Sequence, residues 1–296
     1  MIIDEFESYL LKEKRASTHT VLAYRNDCES FLAFIFNATN PNYKDVKEVN
    51  YQNIRAWIVH LVDEQQSNTT INRKLSSLRT FFNWMRKADK LQSNPMTKIK
   101  GLKAKKRMPE FVKTQEISTE KTTNLFTDDF FGRRDKMIFE LLYQTGIRLS
   151  ELINLKNIDI SSTDIKVLGK RNKERLIPVS AALLYEIRQF QEVKAHSGFH
   201  CDYLLCTDKG LKLYPKFVYR KVNKYLGMIS NIKKKSPHIL RHTFATHLLN
   251  EGAGLEVLKE ILGHANLSAT QVYTHNSFSQ LQKSYNLAHP RGENEI

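Results

Sequence analysis

The chain has 296 residues, 41% of them hydrophobic, and its 46 lysines and arginines outnumber 31 aspartates and glutamates, for a formal net charge of +15. This length suits about two domains with buried cores. The basic excess favours a polyanionic partner, and a membrane surface is the rival. No apolar run approaches the roughly 18 residues that span a bilayer, and the acidic N-terminus lacks a signal-peptide pattern, so we expect a cytoplasmic protein.

The three cysteines, Cys28, Cys201 and Cys206, are an odd and sparse set, which argues against a disulfide framework. Two of them lie near His196 and His200 in the sequence, which raises the question of zinc. Their spacing fits no common zinc pattern. We therefore predict no metal site, and favour a solvated loop followed by a short strand that ends at Cys206.

The first 97 residues predict an all-helical domain. Apolar residues recur at helical spacing in four stretches, residues 5–11, 18–35, 49–62 and 67–85. The inner face of the fourth helix comprises Ile71, Leu75, Leu78, Phe81, Phe82 and Met85. Its basic and polar outer face suits a DNA groove as well as it suits plain solvent exposure. That outer face comprises Asn72, Arg73, Lys74, Ser76, Ser77, Arg79 and Thr80.

A basic linker follows this domain. Asn94-Pro95 ends the helices, and the run KIKGLKAKKR holds six basic residues and no acidic one. We place the linker at residues 98–112 and expect Lys103, Lys105 and Lys106 to follow the phosphate backbone. A solvated hinge is the alternative, and both can hold. A linker between two DNA-binding lobes would let the chain close around a duplex as a clamp.

The second domain opens with an apolar helix at residues 133–143, which Gly146 breaks. Arg148 lies at the break beside a buried segment, where a charge needs a partner. On composition alone, an ion pair with Glu151 would supply that partner. A functional role for this arginine needs further evidence.

Three short strands are predicted next, at residues 158–160, 164–168 and 174–178. The sequence GKRNK forms a hairpin turn between the last two, and a lysine on such a turn is ordinarily a solvated charge. Helices follow at residues 181–193 and 216–229. The second of these helices turns basic residues outward, and we expect them to face DNA: Lys216, Arg220, Lys221 and Lys224.

The next helix carries two residues suited to chemistry. Ser236 and Pro237 predict its start, with a capping hydroxyl and a proline at the first helical position. His238 and Arg241 are three residues apart and share one face. A wide apolar stripe predicts that the helix packs into a core, through Ile239, Leu240, Phe244, Ala245, Leu248 and Leu249.

A second helix, at residues 255–262, stops at Gly263; His264 follows at once and Tyr273 nine residues later. An arginine fork binds phosphate oxygens, a histidine can move a proton near neutral pH, and a tyrosine can act as a covalent nucleophile. Each residue alone is more often structural. Together they predict attack of a phenol on a phosphodiester held by side-chain cations, with no metal and no cofactor.

These motifs resemble the tyrosine recombinase, or integrase, family, and its Xer branch most closely. The family pattern is H-x-x-R, then L-G-H, then Y, which fits His238, His264 and Tyr273. T-G-x-R-x-S-E-L around Arg148 is similar to the family's first-arginine motif. The resemblance covers nearly the whole chain. It implies a mainly α fold with a small β-sheet, forming a C-shaped clamp on DNA: a four-helix, SAM-like core-binding domain at 1–97 and an α+β catalytic domain at 113–291.

The resemblance also implies roles for the motif residues. Arg148 and Arg241 would clamp the scissile phosphate, with Glu151 in support. Tyr273 would attack phosphorus and form a 3′-phosphotyrosyl bond.

The remaining three roles are acid–base and hydrogen-bonding ones. Lys170 on the hairpin would protonate the departing 5′-oxygen, with Lys173 as the second choice. His238 would help to deprotonate the tyrosine, and His264 would bond a phosphate oxygen. Glycine is common in the family where this chain has Arg171, which could add a phosphate contact.

Partners follow from the same resemblance. The N-R-K-L-S-x-L-R pattern of the fourth helix resembles the family's major-groove helix, which implies that Arg73, Lys74 and Arg79 contact double-stranded DNA. Xer-type recombinases resolve chromosome dimers as tetramers of two pairs. We therefore expect a homo- or hetero-tetramer on DNA, with a second recombinase and an activating protein as possible partners.

Several alternatives stay open at this point. The C-terminal stretch 278–291 either docks into a neighbouring protomer, as the resemblance suggests, or caps its own core. A mobile-element integrase or DNA invertase would use the same chemistry, as would a type IB topoisomerase. The length, with no visible arm-binding domain, leans towards the Xer branch. A non-catalytic DNA-binding accessory is the reading from a different class, although a pure binder would not need the tyrosine.

Overall fold

The computed structural model divides into two compact units, Met1–Arg107 and Met108–Ile296. No helix in the described part of the chain is long and apolar enough to cross a membrane. The structure describes residues 2–36, 46–104, 110–169, 173–263 and 275–292. Within these ranges the side chains are described as well, except those of residues 123 and 275–280.

The first unit is helical, as predicted. Asn50 and Ser67 start its last two helices, since each side-chain oxygen accepts hydrogen bonds from backbone N–H groups of the first turn. The loop predicted at 37–45 lies outside the described residues. The helices are α1 (Ile2–Lys12), α2 (Thr18–Phe36), α3 (Tyr51–Asp63) and α4 (Asn68–Lys87).

The core of this unit is rich in aromatic rings: Phe81 and Phe82 of α4 pack edge to face with each other, and with Phe6 and Phe31 respectively. All six residues predicted on the inner face of α4 are buried. The prediction for Ser77 was wrong: it is buried, and its hydroxyl donates to Asp27 at 2.7 Å. A buried carboxylate needs such donors. Met96 and Ile99 close the core beyond the last helix.

The second unit combines helices with one small sheet. A single turn of 3₁₀ helix precedes α5 at Thr114–Glu116, and another precedes the sheet at Asn157–Asp159. Its helices are α5 (Thr119–Thr123), α6 (Phe130–Thr145), α7 (Leu149–Asn154), α8 (Ala181–His196), α9 (Pro215–Ile229), α10 (Pro237–Asn250), α11 (Leu255–Leu262) and α12 (His275–Ala288).

The sheet is an antiparallel hairpin of β1 (Asp164–Leu168) and β2 (Glu174–Pro178), in which Leu168 pairs with Glu174. Both strands were predicted. The Gly169 N–H donates to the Lys173 carbonyl at 2.8 Å and closes the stem of the turn. Positions 170–172 of that turn, which include Lys170 and Arg171, lie outside the described residues.

The other two predicted strands were wrong. Residues 158–160 form the 3₁₀ turn Asn157–Asp159 instead, because the Asp159 carboxylate accepts the Lys156 N–H at 2.9 Å and competes with strand pairing. Near Cys206 the chain makes only isolated bridges, from Tyr203 to Lys156 and from Cys206 to Lys212.

Helix α6 is the centre of the second core and is buried on nearly every side. Its predicted end at Gly146 is confirmed: the residue has φ +58°, and an added Cβ would lie 2.4 Å from the Phe244 ring. Helix α11 likewise ends at Gly263, with φ +63°. These two helix ends meet beside α10, because Gly146 also approaches Leu262.

One arginine of α6 is fully buried. The Arg134 guanidinium donates to Asp135 at 2.8 Å and to Asp208 at 2.5 Å, and it lies over the Phe217 ring. Asp135 also accepts from Lys221 at 2.7 Å. The prediction that Lys221 points outward was therefore wrong, because a buried carboxylate draws its ammonium group inward.

The C-terminal segment packs on the second unit of its own chain. Tyr285 is buried and its hydroxyl donates to the Gln144 carbonyl at 3.1 Å. Arg291 bonds the buried Glu140 carboxylate and donates to the Ile117 carbonyl at 2.9 Å. In this structure the segment thus caps its own core, which is one of the two arrangements considered for it.

Acid is expected to destabilise this packing through His289. Burial lowers the pKa of His289 to about 3, so the folded chain excludes a proton that the unfolded chain binds below about pH 6.5. Stability is complete above pH 6.5 and is lost as the pH falls towards 3. Between pH 6.5 and pH 5 the loss amounts to about 2 kcal/mol. Calorimetry at pH 7 and pH 5 should show a smaller difference for His289→Phe; equal differences would show that His289 titrates normally when folded.

Candidate functional site

Helix α10 presents His238 and Arg241, as predicted, with His238 exposed and Arg241 partly buried. Two details of the prediction were wrong. Ser236 precedes the helix, but its buried hydroxyl makes no cap hydrogen bond among the described residues. The Ile239 N–H donates to the Ser236 carbonyl instead, at 2.9 Å. Leu249 is exposed, because it lies where the last turn leaves the core.

Arg241 joins two helix ends. Its Nη1 donates to the Gly146 carbonyl at the end of α6, and its Nη2 donates to the Leu262 carbonyl of α11 at 2.8 Å. Burial, together with the nearby charges of Arg148 and Arg175, lowers the pKa of Arg241 to about 10. The guanidinium is still charged at pH 7, and it lies in a strongly positive environment that favours an anion.

Arg148 lies at the start of α7 and makes the ion pair that composition suggested. Its Nη1 donates to Glu151 Oε1 at 2.8 Å, and its backbone N–H donates to the other carboxylate oxygen, also at 2.8 Å. The same guanidinium also reaches the Gly263 carbonyl, from Nη2, at 2.8 Å. Arg148 thus meets Arg241 at the end of α11.

A third arginine completes this cluster. Arg175 on β2 donates from Nε to the Ile261 carbonyl at 2.8 Å. Three arginines therefore bind three successive carbonyls, at residues 261, 262 and 263. The last carbonyls of a helix lack partners within it and carry partial negative charge. The negative partial charge at this helix end offsets part of the repulsion among the three guanidiniums. We call Arg148, Arg175, Arg241 and Glu151 together the arginine cluster.

Glu151 is the carboxylate of the cluster and is buried. Burial alone would raise its pKa, but hydrogen bonds and charge from Arg175, with further bonds from Arg148, lower the pKa to about 2. The residue is therefore ionised at neutral pH. Three positive groups and one negative group leave the cluster with a net positive charge, which suits a phosphate.

Lys170, His264 and Tyr273 lie outside the described residues. Two of their neighbours are described. A Cβ added to Gly169 would lie 3.8 Å from Glu151 Oε1, and one added to Gly263 would lie 3.1 Å from Arg175 Cδ. The chain therefore passes the arginine cluster directly before Lys170 and directly before His264.

Arg175 is the residue that the sequence interpretation missed. A signal for it exists: alternation along β2 puts Arg175 on the same face as Ile177, which is buried. A charge on an inward-facing strand position requires a partner.

The candidate DNA contacts of the first unit mostly have partners within that unit. Arg73 forms a bidentate pair with the buried Asp27, although about half of its side chain is exposed. Lys74 lies 5.6 Å from the centre of the Trp57 ring, and Arg79 donates to a backbone carbonyl at 3.2 Å. The structure thus gives each of these three a packing role as well.

The other candidate contacts are dispersed. Lys103 is exposed, and so are Lys216 and Arg220 on α9. Arg220 donates to the Tyr214 hydroxyl at 3.0 Å. The remaining three candidates, Lys105, Lys106 and Arg171, lie outside the described residues.

The basic linker is fastened at its first end to α4. The Asn72 side chain exchanges two hydrogen bonds with the backbone of Leu102, at 2.7 and 2.8 Å, and Asn68 donates to the Lys103 carbonyl at 2.9 Å. Asn72 was predicted on the outer face of α4, which suited a groove or solvent equally, and its amide instead holds the linker.

The other end is fastened to α10. The Val112 N–H donates to the Thr243 hydroxyl at 3.0 Å, and its carbonyl accepts from His247 Nε2 at 2.8 Å. The Tyr143 hydroxyl then donates to Nδ1 of the same imidazole at 3.0 Å, which fixes its tautomer. Val112 itself is buried in the second core.

No three His, Cys, Asp or Glu side chains converge as a metal site would require, in the ranges that the structure describes. The three cysteines are unpaired, and Cys206 is buried. The described chemistry at the site is therefore that of the arginine cluster and the exposed His238.

Comparison with known proteins identifies the family. The phage integrase family matches residues 114–280, and the N-terminal SAM-like domain of phage integrases matches residues 3–89. Tyrosine recombinase XerC of Natranaerobius thermophilus is 37% identical over 97% of this chain and 98% of its own length. Tyrosine recombinase XerC of Staphylococcus carnosus is also 37% identical, over 99% of each chain.

A solved structure shares the fold. The XerH site-specific recombinase, crystallised with its difH substrate, is 20% identical, with a TM-score of 0.65 over 97% of this chain and 82% of that one. The matches to the family and to full-length relatives agree with the motifs around Arg148 and Arg241. The chain therefore belongs to the phage integrase family and, within it, to the tyrosine recombinases of Xer type.

Proposed function

We propose that this site-specific recombinase breaks and rejoins double-stranded DNA by attack of Tyr273 on a phosphodiester held by Arg148 and Arg241. The observation that carries the proposal is the convergence of these two arginines on the end of α11. Each guanidinium has five N–H groups, of which the bonds described above use two. The others are suited to phosphate oxygens, and charge that develops on the phosphorane would be stabilised there.

The reaction transfers the phosphoryl group from the 5′-oxygen to the tyrosine oxygen. As the tyrosine oxygen bonds to phosphorus, the bond to the 5′-oxygen breaks, leaving a 3′-phosphotyrosyl linkage. His238 accepts the phenolic proton and Lys170 donates one to the leaving 5′-oxygen. His264 bonds a phosphate oxygen. A 5′-hydroxyl from another strand reverses the step, and the linkage conserves the bond energy, so no nucleotide cofactor is required.

The partner that we propose is duplex DNA gripped by both units in a C-shaped clamp. The net charge of +15 supports it, since lysines and arginines that neutralise phosphates gain free energy from counterion release. On the first unit the exposed edge of α4 would enter the groove, with Arg73, Lys74 and Arg79 held in place by their internal contacts. Lys216 and Arg220 would serve the second unit. The basic linker would follow the backbone through Lys103, Lys105 and Lys106, and Arg171 would add a contact beside the hairpin.

The cellular role that we propose is resolution of chromosome dimers at cell division, in the cytoplasm. Full-length similarity to XerC proteins supports this role over that of a mobile-element enzyme. The active assembly would be a homo- or hetero-tetramer on DNA, with a second recombinase or an activating protein as further partners. In that assembly, the C-terminal segment would leave the core of its own second unit and pack against the corresponding core of a neighbouring protomer.

The test is covalent trapping on a duplex that carries a candidate chromosomal recombination site and a nick near the crossover. The chain should give a protein–DNA band that resists denaturation, and mass spectrometry should locate the adduct on Tyr273. Tyr273→Phe removes only the hydroxyl and should bind the same DNA without that band. A band that persists in this variant would rule out Tyr273 as the nucleophile, and binding without any band in the parent chain would favour a non-catalytic accessory.

A further inference from the structure

Arg175 is a buried charge with a short list of partners. It lies on β2 opposite Val167, on the inward face of the hairpin. Its Nη1 and Nη2 donate to the two oxygens of Glu151 at 2.7 and 2.9 Å, and its Nε donates to the Ile261 carbonyl at 2.8 Å. This planar fork thus joins the hairpin, α7 and α11, with bidentate geometry that only arginine provides.

The three joined elements are those that lead to the reactive side chains. Gly169, at the stem of the hairpin, lies close to Arg175: a Cβ added to this glycine would be 3.7 Å from Arg175 Nη1. Lys170 is the next residue in the sequence. Gly263 is closer still to the same side chain, and His264 follows that glycine. A shift of Arg175 would therefore displace the starting points of both segments.

Arg175 also affects how much of the positive charge of Arg148 is neutralised by Glu151. Both arginines bind Glu151, whose side chain is almost fully buried. Without Arg175, Arg148 would be the one arginine of the cluster that still donates hydrogen bonds to this desolvated carboxylate. Its guanidinium would then bind Glu151 at the expense of a phosphate. With Arg175 in place, the carboxylate already accepts two hydrogen bonds from Arg175, so the positive charge of Arg148 is less fully neutralised and can attract the phosphate.

We propose that Arg175 is a positioning residue for recombination: it satisfies Glu151, frees Arg148 for the scissile phosphate, and fixes the stem of the hairpin at Gly169 and the end of α11 at Gly263. The proposal rests on the function proposed above. It assigns Arg175 no contact with DNA. Its loss should therefore affect the chemical step much more than DNA affinity.

The experiment compares four chains in single-turnover cleavage of the nicked duplex, with DNA binding measured separately: the parent, Arg175→Gln, Arg175→Gln combined with Glu151→Gln, and Lys166→Gln. Arg175→Gln should cleave about 10- to 100-fold more slowly, as small misplacements of reacting groups do, while its Kd changes less than about threefold. The double variant should regain much of the lost rate, because a neutral amide in place of the Glu151 carboxylate no longer competes for Arg148. Lys166 is exposed on the neighbouring strand, and Lys166→Gln should match the parent.

Each outcome decides the matter. Arg175→Gln that cleaves within about threefold of the parent would overturn the positioning role. A double variant as slow as the single one would overturn the part of that role in which Arg175 frees Arg148. A parent chain that forms no adduct would overturn the proposed function itself. Arg175→Lys guards against a folding defect: circular dichroism should show it folded, and its rate should fall between those of the parent and Arg175→Gln, because an ammonium bonds Glu151 without bridging to Ile261. A rate equal to the parent would show that the planar fork is unnecessary.

Discussion

Arg241→Lys is expected to slow covalent cleavage of DNA by at least about a hundredfold and to change DNA affinity by less than about tenfold. The guanidinium bonds carbonyls of two helix ends, Gly146 and Leu262, and in the proposed reaction it also holds the scissile phosphate. An ammonium is a point charge and cannot make these planar contacts together. The charge survives in the variant, so attraction to DNA is largely kept while stabilisation of the transition state is lost.

The measurement is the single-turnover rate of adduct formation, with binding followed separately by gel shift. Arg188→Lys on α8 is the matched control, because Arg188 is exposed and lies outside the arginine cluster. It should cleave at the parent rate. If Arg241→Lys cleaved as fast as Arg188→Lys, the role of Arg241 would be to join the helix ends, and the clamp would need another cation.

Arg134→Met is expected to lower the free energy of unfolding of the second unit by about 3 kcal/mol. Removing one member of a buried ion pair leaves the charge of the other, here Asp135, less well compensated. The cost lies at the low end of the usual range because Asp135 keeps the Lys221 ammonium and the Tyr225 hydroxyl. Methionine also retains contact with the surrounding rings. For a unit of this size, the unfolding midpoint should fall by roughly 6–12 °C.

The neighbouring arginine supplies the control. Arg133 on the same helix is partly exposed and its partner Asp128 is largely exposed, so Arg133→Met should leave the midpoint almost unchanged. The measurement is the unfolding midpoint of each variant and of the parent, by calorimetry of the full chain. If the two variants melted together, the Arg134 pairs would contribute no more than a surface ion pair.

Local chemistry accounts for what the sequence predicted well. The hydroxyl of Ser67 starts α4, and glycines with positive φ end α6 and α11 at the predicted positions. These signals lie within a few residues of their effects. The same scale explains one failure: at residues 158–160 the apolar alternation suggested a strand, but the Asp159 side chain favoured a tight turn.

The missed features depend on partners far along the chain. Arg73 meets Asp27 across 46 positions, and Arg175 meets the Ile261 carbonyl across 86. Hydrophobic periodicity shows which face of a helix or strand is buried, but it does not show which charged or polar group that face will contact. The motifs around Arg148 and Arg241 were recognisable in the sequence, whereas their joint attachment to the end of α11 required the fold.

The anchoring of Val112 has a mechanical consequence. Both of its backbone groups are bonded to side chains of α10, from Thr243 and His247. A displacement of the chain at Val112 would therefore act directly on the helix that carries Arg241. It would reach that guanidinium through two side chains of one helix, without passing through the rest of the second core.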